Sequence, residues 1–179
     1  MRLWTFPLLL APLCACSPRQ LAFPPVIGAE AVAPFGPVAM RIHPLTHIDA
    51  AARNKDGSVP DSSRIVLHLE LRDRSGDSVK AIGNLMVELL KPGTGVLPGM
   101  DTHELTWDVP ELMDVDENIR RFDPPTRTYR IVLNGPRWIG EWAAAGRTKD
   151  SAPWLKLRAV YTLSGENGSV LSDEYAIQN

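Results

Sequence analysis

Between Arg64 and Leu90 the chain reads RIVLHLELRDRSGDSVKAIGNLMVELL, and the alternation in this stretch limits the fold more than any other feature. Ile65, Leu67, Leu69 and Leu71 take every second place, with Val66, His68, Glu70 and Arg72 between them. Successive side chains of an extended strand point to opposite faces, so the pattern describes a strand with one apolar face and one mostly polar face. Asp73-Arg-Ser-Gly-Asp77 supplies turn residues, and Leu85, Val87 and Leu89 restart the alternation. The stretch predicts two half-buried strands, with a short extended piece near Val79 to Ile82 between them.

The same pattern recurs along the chain. Val38, Met40 and Ile42 mark a first strand that Pro44 ends, and Leu45 to Ala52 forms a short extension. Leu105, Trp107 and Val109 mark a strand from His103, and Tyr129, Ile131 and Leu133 mark another from Thr126. Trp154 to Leu163 is the clearest late strand, and Leu171, Asp173, Tyr175 and Ile177 pair with it, Asp173 near an edge. Sixteen prolines and thirteen glycines favour turns over long helices. Trp138 to Ala145 is the best helix, with Trp138 and Trp142 on one face, and Pro110 to Asn118 holds a helical turn. Ile119 and Phe122 are expected to pin that loop to the core, and Phe35 to dock on the domain from the preceding tether. An apolar content of 44% is enough to build a core. The expected fold is all-β: an antiparallel β-sandwich of about seven strands with one short helix.

The first residues read as an address. Met1-Arg2 precedes an apolar run from Leu3 to Leu13, interrupted by Pro7 and Pro12 and too short to span a bilayer. The following Leu13-Cys14-Ala15-Cys16 resembles the lipobox of bacterial lipoproteins. That resemblance implies cleavage before Cys16, lipid on its thiol, and a membrane-anchored lipoprotein of the bacterial cell envelope facing the periplasm or the exterior. Residues 1–15 are then a signal peptide. Residues 16–37, with Pro18, Pro24, Pro25, Pro34 and Pro37, are a stiff tether, and residues 38–179 are the domain. Ser17 stands where aspartate would signal inner-membrane retention, which favours an outer location. Both cysteines lie in the first sixteen residues, so the domain carries no disulfide and no thiol chemistry.

A second resemblance covers Asp73 to Val87. The aspartate, Gly76, and the Val79, Ala81, Gly83, Leu85, Val87 run are similar to a turn and strand pair of carboxypeptidase-regulatory-like, transthyretin-like and immunoglobulin-like sandwiches. Ser78 stands where proline is common in that pattern. The resemblance implies an immunoglobulin-like or transthyretin-like sandwich and brings no activity with it.

A net charge of −2 without a basic stripe argues against nucleic acid as a partner. His43 and His47 have the spacing of a helical zinc pair, but Pro44 lies between them. Together with His68 and His103 they read as unrelated surface or interface histidines. Asp101, Glu104, Asp108, Glu111, Asp114, Asp116 and Glu117 lack the spacing of a calcium loop, and Arg120, Arg121 and Arg127 can neutralise them. No metal and no cofactor is expected. No nucleophile elbow, H-E-x-x-H or Walker loop occurs, so no catalytic residue is assigned and the chain does not read as an enzyme. Trp107 is in phase with the core, whereas Trp138, Trp142 and Trp154 are candidate ligand-binding residues because exposed aromatics stack on sugar rings. The expected role is structural or adaptor-like, with the membrane engaged through Cys16 and a protein or glycan partner in the envelope. A carbohydrate-binding module for envelope glycan is the alternative. A small hydrolase or metal-dependent enzyme without a recognisable motif is a second.

Overall fold

The computed structural model describes residues 33–49, 62–91, 101–145, 154–165 and 168–178. Cys16, the expected signal segment 1–15 and residues 17–32 lie outside the described residues, as do the side chain of Trp154 and residues 92–100.

Among the described residues, nine strands form two antiparallel sheets. They are β1 (Ala39–Ile42), β2 (His47–Asp49), β3 (Ser62–Arg72), β4 (Gly83–Lys91), β5 (Thr102–Val109), β6 (Phe122–Asp123), β7 (Thr128–Pro136), β8 (Trp154–Leu163) and β9 (Val170–Gln178). One sheet has the order β1-β3-β7-β6, with β2 also on β3; the other has the order β5-β4-β8-β9. The strand count passes seven because the first strand breaks in two at Pro44 and because β6 is a two-residue piece. The described residues include two α-helices, α1 (Val115–Arg121) and α2 (Arg137–Ala145), and a 3-10 turn (Pro110–Met113) leads into α1.

The alternating residues do what their period requires. Ile65, Leu67, Leu69 and Leu71 on β3, Leu85, Val87 and Leu89 on β4, Tyr129, Ile131 and Leu133 on β7, and Leu155, Leu157, Ala159 and Tyr161 on β8 form one buried core. Burying a side chain of this size is worth about 1.5–3 kcal/mol, so this shared layer is the main reason the two sheets stay face to face. Gly83 must lack a side chain. A Cβ there would run into the Tyr161 ring and the Thr162 carbonyl.

Local chemistry sets the turns. Asp73 Oδ1 accepts from the backbone N–H groups of Ser75 (2.8 Å) and Asp77 (3.0 Å), and Gly76 sits at φ +86°, where a side chain is disfavoured. Beyond it, Ser78 makes a single bridge to Arg72, and Val79 and Ala81 pack on the core without forming a strand. At the break between β1 and β2, Thr46 Oγ1 accepts from the His68 N–H at 3.0 Å, filling the place of a missing strand residue. Helix α2 covers one end of the sandwich: Ile139 is fully buried, and its Cδ1 fills the space a side chain at Gly135 would take.

Two expected anchors are placed differently. Phe35 is 66% exposed and does not dock. Ile119 is exposed as well, and Leu112, Asn118 and Phe122 hold that segment instead. Leu112 sits fully buried on the 3-10 turn that feeds α1, seven residues before Ile119.

Candidate functional site: the open side of the sandwich

The two lateral sides of the sandwich are built differently. On one side β1 of the first sheet lies against β9 of the second, and Asp173 Oδ2 accepts from the outward Ile42 N–H at 2.7 Å. On the other side, β5 and β7 are joined by the Trp107 indole, whose Nε1–H donates to the Asn134 carbonyl at 2.7 Å. Between them lies a groove of about 150 Å³ lined by Trp107, Asp108, Val109, Glu111, Arg121, Ile131, Val132, Leu133 and Asn134.

The segment bordering this groove is fixed by a buried polar knot. Asn118 on α1 donates through Nδ2 to the carbonyls of Ala81 (2.8 Å) and Leu112 (2.9 Å). The Tyr129 hydroxyl donates to Asn118 Oδ1 at 2.8 Å and accepts from the Ala81 N–H at 3.0 Å. Tyr161 donates to the same Ala81 carbonyl at 2.7 Å. Burial pushes both phenols above their ordinary range, Tyr161 the more so beside Tyr129. Asp114 caps α1, its Oδ1 accepting from the Glu117 N–H at 2.9 Å.

The free edge of β7 follows from the ladder. His68 turns both backbone groups towards β1 and β2, since its N–H meets Thr46 and its carbonyl accepts from the His43 N–H at 2.7 Å. Backbone groups along an antiparallel strand alternate between its two neighbours. Ile65, Leu67 and Leu69 therefore bond β7, and their partners Leu133, Ile131 and Tyr129 bond back. Arg130, Val132 and Asn134 point their N–H and C=O groups away from β3, as the Trp107–Asn134 bond independently requires. β6 pairs only with Thr128 and Tyr129. Among the described residues no strand pairs with Arg130 to Asn134 on this side.

Charge is concentrated here. Residues 101–123 carry eight carboxylates and two arginines, whereas the rest of the chain carries 13 acidic and 17 basic residues. Arg121 is held loosely: its guanidinium lies 3.6 Å from Glu111 and 4.0 Å from Glu117, and its buried Nε has no aligned hydrogen bond. Met113, Val115 and Ile119 expose apolar surface among the acids.

The other candidate residues lie elsewhere. Trp138 and Trp142 are half-buried on α2 and pack against the core, with Lys91 Nζ 5.2 Å from the Trp138 ring centre. The backbone of Trp154 pairs with Gln178 at the end of β8. Trp107, read from its phase as a core residue, is half-buried and also bridges the open side. His103 lies apart, bonded to Thr106 at 2.7 Å. His43 and His47 flank His68 across the β1–β2 break, and the His68 ring is buried on the outer face of its sheet against Thr128, 2.9 Å away. Burial, and next Arg130, hold the His68 imidazole below its ordinary value. Beside it Glu70 is buried and ion-paired with Arg41 (2.6 Å) and Arg72 (3.1 Å). Among the described residues no group of three or more metal-ligating side chains converges. No helix among them is long and apolar enough to cross a membrane.

No protein-family profile, curated protein or solved structure matches this chain.

Proposed function

We propose that the chain is a lipid-anchored, extracytoplasmic adaptor of the immunoglobulin-like class, tethered through Cys16 and offering a sheet edge to a protein partner in the envelope. The class reading draws on strand order. With β1 and β2 taken as strand A and the rest lettered in turn, the sheets run A-B-E-D and C′-C-F-G, the arrangement of immunoglobulin-type sandwiches. The anchor draws on the Leu13-Cys14-Ala15-Cys16 sequence. The single observation that carries the adaptor reading is the outward backbone of Arg130 and Val132, which no strand pairs among the described residues and which lies beside a groove, because an exposed strand edge is a template for another chain.

Two measurements test the two halves. Metabolic labelling with a fatty-acid probe should tag the wild-type chain and not Cys16→Ala; absent labelling, or labelling that survives the substitution, removes the anchor. A photoreactive side chain at Val132 should cross-link a protein in intact cells, and one at Thr162, exposed on the other sheet's outer face, should not. Equal yields at both positions would remove the adaptor role.

A further inference from the structure

We infer that the groove between β5 and β7 receives a basic, extended segment of a partner protein, added as a short strand to β7 beside Arg130 and Val132. This rests on the adaptor reading and names the chemistry of its partner. The edge is bounded by β6 at Tyr129 and by the Trp107 indole at Asn134. An incoming strand thus finds two residues, Arg130 and Val132, with N–H and C=O both turned towards it.

The edges of β5, β1 and β9 carry obstacles to pairing. The Leu89–Leu105 pair is followed by Leu90–His103, which leaves Glu104 as an extra residue in β5, and such a bulge twists an edge away from pairing. The β1 edge is capped at Ile42 by Asp173, itself a charge set inward on edge strand β9. From Arg130 to Asn134 there is no proline, no lysine and no bulge.

Charge selects the occupant. Side chains of an added strand alternate between the groove and the outer face of the sheet. Those on the groove side enter a groove whose lining carries two carboxylates, Asp108 and Glu111, against one guanidinium, Arg121, which lies near Glu111, and the flanking segment is the most acidic part of the chain. Those on the outer side lie next to Arg130 and Val132, where a further cation is disfavoured by like charge across the pair. The fitting segment therefore has period two, with basic residues on one face and apolar residues on the other.

The test uses the full chain in detergent and a short capped peptide alternating lysine and valine, with a glutamate–valine peptide as control. The lysine peptide should bind, and added salt should weaken it. Asp108→Asn with Glu111→Gln should weaken binding about tenfold, the loss expected when two charge contacts at a groove disappear. Val132→Pro removes an outward N–H that takes no part in the β3 ladder and should abolish binding. Should that variant unfold, hydrogen exchange on the wild type decides the point: the Arg130 and Val132 amides should become protected when the peptide is added. No binding, equal binding of the glutamate peptide, unchanged exchange at these amides, or pairing of the β7 edge with a second copy in place of peptide would each overturn the proposal. Purified chain and peptide meet without a membrane, so a negative result here leaves the anchor to be judged by the fatty-acid labelling.

Discussion

The two sides of this sandwich solve the same problem in opposite ways. Every two-layer β fold leaves four strand edges, each with backbone groups in need of partners. At the β1–β9 side one carboxylate from one sheet meets the outward amide of the other, and the gap is closed from within. At the β5–β7 side the sheets are bridged by one indole and flanked by a wrapped segment, the 3-10 turn and α1, that fastens to the core through Asn118 instead of completing the ladder. The closed side spends its polar groups on itself, while the open side hides its polar groups in the knot behind the groove and keeps the edge of β7 available. A side-chain cap covers an edge amide, and only a strand extends a sheet.

That contrast can be broken most forcefully at Asn118. Asn118→Ala strips the Ala81 and Leu112 carbonyls and the Tyr129 hydroxyl of a partner while they remain buried, and should cost about 3 kcal/mol or more, since several desolvated groups lose hydrogen bonds together. Chemical denaturation reads the loss. If the open side were held mainly by apolar contacts, as Ile119 and Phe122 would suggest, the cost would fall to that of one exposed substitution. Asp173→Ala probes the closed side. It leaves the Ile42 amide without its carboxylate and should cost about 1–2 kcal/mol, the range for a hydrogen bond to a charged group discounted for a half-buried acceptor. Its amide exchange should rise around Ile42 and leave Val132 unchanged.

Acid should act on the first sheet's outer face, next to the closed side. The His68 imidazole is held below its ordinary value, so the unfolded chain takes up that proton first, and stability falls as pH drops through the unfolded value of about 6.5 towards the lower folded one. The charged and titratable groups facing it are His43 and His47 from the β1–β2 link, Arg130 from β7 and Asp123 from β6. Burial alone would raise the Glu70 carboxyl, but bonds from Arg72, Ser78 and Arg41 outweigh it and hold the group below its usual range. Its contribution is therefore present above the unfolded value, about 4.3, and is lost as pH falls through the lower folded one. Denaturation midpoints should decline in two stages on acidification, and His68→Gln should flatten the first stage only.

How far the sequence foretold this depends on which force decides each feature. Strand identity follows from alternation, a local property, so β3, β4, β7 and β8 are legible in Ile65 to Leu71, Leu85 to Leu89, Tyr129 to Leu133 and Leu155 to Leu163. The turn at Asp73 and Gly76 is legible for the same reason. Burial on the supposedly polar face of β3 is not legible, because Val66, His68 and Glu70 are covered by neighbours far along the chain: the β1–β2 link, Thr128 and the arginines. Ile119 misled because a seven-residue helix buried a polar residue, Asn118, where three backbone and phenol groups needed it. The groove is not legible because an edge exists only once strand order is known, and no local pattern in Arg130 to Asn134 announces it. Trp107 offered one clue, since an indole N–H near a core needs an acceptor.

The smallest effect on stability falls on that tryptophan and tells the most about the open side. Trp107→Phe keeps an aromatic ring in the groove wall and deletes the donor to Asn134. Because the bond lies in an exposed setting, water can replace the indole, and the net cost should stay under about 1 kcal/mol. The Asn134 carbonyl is then released to the same side as those of Arg130 and Val132, which lengthens the available edge by one residue. Denaturation should barely register the change, whereas the lysine–valine peptide should bind the variant at least as tightly as the wild type. Weaker binding would mean that the indole shapes the groove for the incoming strand instead of marking where it must stop.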